Sequence, residues 1–283
     1  ENTESTPRAR FKFVDKVVGK ARGICIEENE MQYFQQGVKN FLYKWIETHP
    51  RLKGKINFTY QSVNRDLAYA SSLSRIHATI DMKDASDRIS RSLVSILFEK
   101  VPLLRDALLH LSTRVIDISA YADDDALYCK KYAAMGSGLC FPVMSLVHYA
   151  LIRAIINLSM QHSSSLEQIY VYGDDIIIPS SCIQAVYDWL PRFGMKINSD
   201  KSFYHSYFRE SCGIHAYNGL DITPVYFKYT PESIAKTVSL ESLIANEALL
   251  YTKGYYKTAA LIRRQKTLPY VNERSPACGW KRP

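Results

Sequence analysis

Cysteine, glycine, proline and long apolar runs are all scarce in this chain of 283 residues. Each scarcity closes off a class of protein. The six cysteines (Cys25, Cys129, Cys140, Cys182, Cys212, Cys278) form no CxxC pair, which argues against a zinc ribbon or a disulfide framework. In a chain this long they read as buried, reduced thiols and point to the cytosol. Twelve glycines and eleven prolines without a short period exclude collagen-like and low-complexity folds, and no heptad persists as a coiled coil would need. The most apolar stretch, Phe141 to Met160, is interrupted by Pro142, His148 and Arg153, so a core helix is expected there and no membrane association. The polar start, Glu1 to Arg10, lacks an apolar h-region and predicts no signal peptide; the missing initiator Met suggests a piece of a longer protein.

What is present is a globular composition, 47% hydrophobic with a net charge of +8. The charge sits at the ends. Residues 1–22 carry six basic groups (Arg8, Arg10, Lys12, Lys16, Lys20, Arg22) against three acids, and Lys253 to Pro283 carries eight against one. A slightly acidic middle between basic flanks suits a polyanion gripped at its edges around a site that itself needs carboxylates.

Along the chain, Gly23 to Ile26 reads as a short strand placing Lys20 and Arg22 on one face. Met31, Phe34, Val38, Phe41, Leu42 and Trp45 recur at helical spacing between Glu28 and His49. Arg51 to Ser74 shows no clear period and reads as loop with short irregular elements. A strand over Ala78–Met82 is followed by helices over Ser86–Lys100 and from Pro102 to about Thr113. Asp123-Asp124-Asp125 reads as a solvated polar turn between β-prone pieces. After Met135-Gly136-Ser137-Gly138 and the core helix, Ile169 to Ile178 predicts strand, turn, strand. Next come a helix over about Cys182–Phe193, strands near Met195–Asn198, Gly213–Tyr217 and Ile222–Tyr229, and helical sequence from Pro231 to about Gln265. The irregular alternation with tight hairpins favours α+β over a parallel α/β sheet.

The segment that carries chemistry is Tyr172-Gly173-Asp174-Asp175, two adjacent acids at a hairpin tip between apolar strands. Neighbouring strand residues point to opposite faces, so only one can aim fully at a site, and Asp174 in the bend is the first choice. Asp81 ends another β-prone run, and if the two strands pair, Asp81 and Asp174 meet. Carboxylates held that close repel unless a proton or cation lies between them, and magnesium is the natural occupant.

With these residues in order, Asp81-Met82-Lys83-Asp84-Ala85-Ser86-Asp87, Met135-Gly136-Ser137-Gly138 and Tyr172-Gly173-Asp174-Asp175 resemble motifs A, B and C of an RNA-dependent RNA polymerase. More narrowly, Tyr172 to Ser180, Phe208-Arg209-Glu210-Ser211-Cys212-Gly213 and Gly219 to Pro224 resemble the replicase catalytic subunit of single-stranded RNA bacteriophages, the leviviruses, over about Lys20 to Tyr229. The resemblance implies a right-hand polymerase fold: partial fingers over 1–74 with a basic motif F-like strand, a palm of antiparallel sheet flanked by helices over 75–230, and the start of a helical, basic thumb over 231–283.

By that resemblance, template-directed transfer of ribonucleoside triphosphates to the 3′-OH of RNA proceeds with two Mg²⁺ ions, Mn²⁺ being able to substitute. Asp81 and Asp174 are implied as metal ligands with Asp175 supporting them, and Lys20 and Arg22 as contacts of the incoming triphosphate. Ser86, Asp87, Ser137 and Gly138 are implied around the nucleotide and its ribose, with Ser86 and Asp87 left as alternatives because either could cap a helix. Lys201 is implied as the general acid for the leaving pyrophosphate, with Lys196 its rival. The implied partners are RNA template and product, ribonucleotides and host translation proteins, in the cytoplasm of an infected bacterium. One departure stands out: the phage family usually follows Gly-Asn-Gly with Tyr-Thr-Phe, where this chain has Leu139-Cys140-Phe141 after Gly136-Ser137-Gly138. A reverse transcriptase would share the carboxylates but bar ribonucleotides with a bulky side chain, which polar Ser86, Asp87 and Ser137 argue against. A catalytically silent RNA-binding subunit would have no need of three clustered acids.

Overall fold

The strand that ends in Asp81 is five residues long and buried in its middle, and most of the fold is arranged around it. The computed structural model describes residues 7–17, 20–123, 125–159, 163–225 and 240–265. In chain order these form β1 (Arg8–Val17), β2 (Lys20–Ile26), α1 (Asn29–Thr48), α2 (Ser62–Ser74), β3 (His77–Asp81), α3 (Arg91–Leu97), α4 (Pro102–His110), β4 (Val115–Asp117), β5 (Ala126–Tyr128), α5 (Cys140–Ser159), α6 (Ser163–Leu166), β6 (Tyr170–Tyr172), β7 (Asp175–Pro179), α7 (Ile183–Trp189), β8 (Phe208–Ser211), β9 (Ile214–Tyr217), β10 (Leu220–Asp221), α8 (Leu240–Thr252) and α9 (Tyr256–Gln265). The α+β expectation holds. The strands make three small sheets ordered β2-β1-β4-β5, β3-β7-β6 and β10-β9-β8; β1 runs parallel to β4, and β4–β5, β3–β7, β6–β7, β8–β9 and β9–β10 are antiparallel.

Two compact units divide the chain, one running from Arg22 to Thr223 with the first strand up to Val14, the other from Pro224 onward with Asp15–Ala21. The core of the first is built on α5. This helix is long and apolar enough to cross a membrane, yet most of it is inside the protein: Val143, Val147, Ile152, Ile155 and Ile156 pack with Ile80, Val171, Ile176 and Ile178 of the β3-β7-β6 sheet. Pro142 falls in its first turn, where its missing N–H has no intrahelical partner to lose. In the second unit α8 and α9 bury Leu243, Leu250, Ala259 and Ile262 against one another, and Arg263 Nη2 meets Glu247 Oε1 at 2.7 Å.

Four expectations need correction. The stretch read as loop contains α2, whose buried residues are Asn64, Ala68, Ser71 and Ser72. A small, polar buried face leaves no apolar period; hydrogen bonds hold much of it, Asn64 Nδ2 donating to Asp175 O at 3.2 Å and Gly219 N–H to Ser72 Oγ at 2.9 Å, while Asn64 Oδ1 is buried without a partner among the described residues. The helix over Ser86–Lys100 is broken into a single 3₁₀ turn, Ser86–Arg88, and α3, because Ser90 caps α3 by accepting from Leu93 N–H at 3.1 Å. Met195–Asn198 is no strand and makes one isolated bridge, Met82 with Ile197. The strand expected from Ile222 is only Leu220–Asp221, and Tyr226 to Tyr229 lie outside the described residues.

Arg209 in β8 is fully buried and donates to backbone carbonyls: Nε to His77 O at 2.7 Å, Nη1 to Ser206 O at 2.6 Å and Phe208 O at 2.7 Å, Nη2 to Tyr204 O at 3.4 Å. Together with the Thr79–Phe203 bridge, this closes the free edge of β3.

Candidate active site

The hairpin forms as the sequence predicts. Tyr172 pairs with Asp175 across a two-residue loop of Gly173 and Asp174. Gly173 takes φ +66° while Asp174 is not among the positive-φ residues, the pattern of a II′ turn, whose twist suits adjoining strands. A Cβ at Gly173 would also overlap the Phe141 ring. On the other edge of β7, Asp81 stands opposite Asp175, and Met82 N–H donates to Asp174 O at 3.2 Å. Two strands almost a hundred residues apart thus bring Asp81, Asp174 and Asp175 to one end of one sheet.

Each acid is held differently. Asp174 is exposed at the tip. Asp81 Oδ2 accepts from Asn198 Nδ2 at 2.6 Å, its carbonyl from Asn198 N–H at 2.9 Å, and its own N–H donates to Ser202 Oγ at 3.2 Å. Burial pushes the Asp81 carboxyl above its ordinary range, against the Asn198 hydrogen bond, and the Asp174 charge adds to the rise. Asp175 accepts from Ser211 Oγ at 3.2 Å. Burial, then the Asp174 charge, push it up to about 6 despite a hydrogen bond from the Cys212 backbone. These are hard oxygen donors crowded at a cost that a cation would relieve. Among the described residues no three His, Cys, Asp or Glu side chains converge into a closed ligand cage. The donor set therefore fits an ion held by one or two carboxylates and completed by water and phosphate, as magnesium commonly is.

Lys201 joins the acids. Its Nζ lies 3.5 Å from Glu210 Oε1; burial works against its charge, but the carboxylates of Glu210, Asp81 and Asp175 outweigh it and hold the ammonium above its ordinary value. Lys196 is exposed, and its carbonyl accepts from Lys83 N–H at 2.8 Å. Ser86 is buried and hydrogen-bonds the Cys140 thiol, which burial pushes up to about 12. Asp87 is exposed and pairs with Lys131 Nζ at 3.2 Å. Ser137 is buried, its Oγ accepting from Leu139 N–H at 3.3 Å, while Gly138 N–H donates to Gln35 Oε1 at 2.9 Å. Gly136, at φ +115°, approaches β2 so closely that a Cβ would overlap the Cys25 carbonyl, and Cys25 N–H donates to Met135 O at 2.7 Å. The motif B loop is thus strung between β2 and α1. Arg22 on β2 is exposed; the Lys20 side chain, Asp124, Cys278 and the basic residues from Lys266 on lie outside the described residues.

Comparison with known proteins agrees with this geometry. The family model described as RNA replicase, beta-chain, matches residues 1–246. The chain belongs to that family. Among curated members of the replicase family, the RNA-directed RNA polymerase beta chain of Escherichia phage MS2 is 34% identical over 208 residues, covering 73% of this chain and 35% of its own length. The subunit beta of Qbeta virus (strain MX1) is 32% identical over 227 residues, covering 80% of this chain and 36% of its own. This replicase chain therefore spans about a third of the length of the curated relatives it matches. The RNA-dependent RNA polymerase of a human picorbirnavirus shares its fold with a TM-score of 0.60 at 13% identity, over 91% of this chain and 55% of the neighbour. Telomerase from Candida albicans does so with a TM-score of 0.53 at 13% identity, over 87% and 50%.

Sequence reasoning missed the residues that aim the acids. Asn198 and Ser202 lie within three residues of Lys201, and Ser211 in the segment with Arg209, but a short polar side chain gives no sign of whether it caps a turn or braces a carboxylate. Gln35 was hidden inside the apolar period of α1, where it is fully buried.

Proposed function

We propose that this chain carries the catalytic palm of a viral RNA-directed RNA polymerase, adding ribonucleoside triphosphates to the 3′-OH of RNA on an RNA template with two Mg²⁺ ions. Partial fingers (1–74), palm (75–230) and the start of the thumb (231–283) are the matching division, and the phage relatives suggest the cytoplasm of an infected bacterium. One observation carries the reading: the β3–β7 register sets Asp81 opposite Asp175, both partly buried, beside an exposed Asp174 at the tip of the hairpin.

Asp81 and Asp174 are the residues to hold the ions, and Asp175, tied to Ser211, braces the turn. Divalent ions, when bound there, stabilise the attacking and leaving oxygens of phosphoryl transfer. Lys201, kept protonated by surrounding carboxylates, is a proton donor for the departing pyrophosphate oxygen. Arg22 and Lys20 meet the triphosphate. Asp87, exposed beside Lys131, is the better ribose contact, since Ser86 and Ser137 are buried.

Primer extension with ribo- and deoxyribonucleotides, with and without Mg²⁺, tests this. Wild type is expected to add ribonucleotides only with a divalent ion, D174N to lose roughly 100-fold or more with RNA affinity within twofold, and D87A to lose roughly tenfold in preference for ribose. Metal-independent extension, equal use of both sugars by wild type, or more than a few per cent activity in D174N would overturn it.

A further inference from the structure

Helix α5 was expected only as core, yet its buried polar groups converge on the tip of the carboxylate hairpin. Phe141, Ser145 and His148 stand four and three residues apart, so they share one face of the helix. All three meet Gly173. The Phe141 ring fills the space a Cβ would need, Ser145 Oγ accepts Gly173 N–H at 3.1 Å while donating to Phe141 O at 2.9 Å, and His148 Nδ1 donates to Gly173 O at 2.8 Å. The peptide groups on both sides of Gly173 are therefore fixed by side chains of one helix. The second of them ends at Asp174 N, so its plane sets the direction from which the Asp174 side chain leaves the backbone.

His148 is fully buried, and a carbonyl can only accept, so the ring must carry its proton on Nδ1. Nε2 is buried with no hydrogen-bond partner among the described residues. Burial keeps the imidazole neutral, against the pull of the Gly173 carbonyl and the Asp174 charge. An apolar ring would fill this space without stranding a nitrogen. One nitrogen of the imidazole is thus left without a partner, and what the other does is hold Gly173.

We propose that Ser145 and His148 are positioning residues that aim Asp174 at a divalent cation by locking both peptide groups of Gly173; the inference rests on the reading of Asp174 as a metal ligand. Neither side chain touches the ion or substrate. Their effect is to have the tip already set before the ion arrives, so that ion binding does not have to order the turn.

The test is Mn²⁺ binding to the full chain without RNA or nucleotide, followed by the free-ion electron paramagnetic resonance signal, with thermal unfolding of each variant beside it. D174N is expected to bind at least tenfold more weakly than wild type. H148F keeps the ring and loses the donor, and S145A loses the acceptor; each is expected to bind at least threefold more weakly. H148N returns an N–H at the position of Nδ1 and is expected to bind more tightly than H148F although it fills less of the core. H148F and S145A each within threefold of wild type while D174N is weak would overturn the inference, and so would H148N no better than H148F. D174N binding like wild type would instead overturn the metal reading itself. Should H148F fail to fold, S145A decides alone by the same threefold criterion.

Discussion

The carboxylate hairpin and the basic four-stranded sheet are both made of short strands, and they are held in opposite ways. At the hairpin, Asp81 is tied through side chain, carbonyl and N–H to Asn198 and Ser202, and Asp175 to Ser211. In the sheet, Arg8, Arg10 and Lys12 project from one side of β1 over a small cluster of Ala9, Cys25 and Ile116, and Arg22 is exposed on β2. Acids that bind an ion act at contact distance and must be aimed, and partial burial means an idle one is costly. Arginines and lysines that neutralise a phosphate backbone act through charge and need only be displayed. Scaffolding is dense where geometry matters and sparse where only sign does.

The comparison can be broken most severely at Asp81. D81N should cut nucleotide addition by roughly 100-fold or more while RNA affinity stays within twofold, measured by single-turnover extension and filter binding. R8Q/R10Q/K12Q should do the reverse kind of damage: the log–log salt dependence of RNA binding should flatten by about 2, at roughly 0.7 per lost phosphate contact, and an unchanged slope would make that face an ordinary solvated surface.

Lys201 sharpens the contrast, because it is a cation that must be aimed. K201L should lower turnover by roughly 10²-fold. Removing its partner tests the cause of its raised pKa: with the Glu210 charge gone in E210Q, Lys201 gives up its proton at lower pH, so the alkaline fall in turnover should begin at lower pH than in wild type. An unmoved alkaline limb would leave Lys201 no part in proton transfer.

The smallest effect belongs to Glu27, the buried acid at the end of the sheet, which accepts a hydrogen bond from Thr113 Oγ1. Burial raises its pKa above 4.5, against the Thr113 and Gln35 hydrogen bonds. Below that pH folded and unfolded chains are both protonated; as pH rises the unfolded chain releases its proton first, and stability is lost through the folded pKa. E27Q escapes this loss, so its melting temperature should match wild type near pH 4 and exceed it by about 2–4 °C at neutral pH, the equivalent of about 1 kcal/mol. A variant less stable at neutral pH would mean the Glu27 charge itself is needed.

Much of this was legible in the sequence where apolar strands end in acids. Asp81, Asp174 and Asp175 were visible because a carboxylate beside Ile80 or Ile176 has no structural reason to be there, and the hairpin because Gly-Asp interrupts a β-branched run. Helix α2 was not legible, since Asn64 and Ser72 bury polar groups with partners far along the chain, Asn64 Nδ2 bonding Asp175 O across 111 residues and Gly219 N–H bonding Ser72 across 147. His148 was taken only as an interruption in an apolar helix, because nothing local says that its partner is a carbonyl 25 positions on. Periodicity reports which face is apolar; it is silent about buried faces that are satisfied by hydrogen bonds.

The buried guanidinium of Arg209 sets a schedule for synthesis. It bonds the carbonyl of His77, at the start of the strand that ends in Asp81, from 132 residues downstream. Until Arg209 and Phe203 have emerged from the ribosome, the outer edge of that strand has no partners and its polar backbone groups cannot be buried. At roughly 5–20 residues per second, the wait is on the order of 7–26 s. Asp81 is thus translated early and locked late, and a nascent chain holding Asp81 and Asp174 but not yet Arg209 has these acids without the frame that holds their strand.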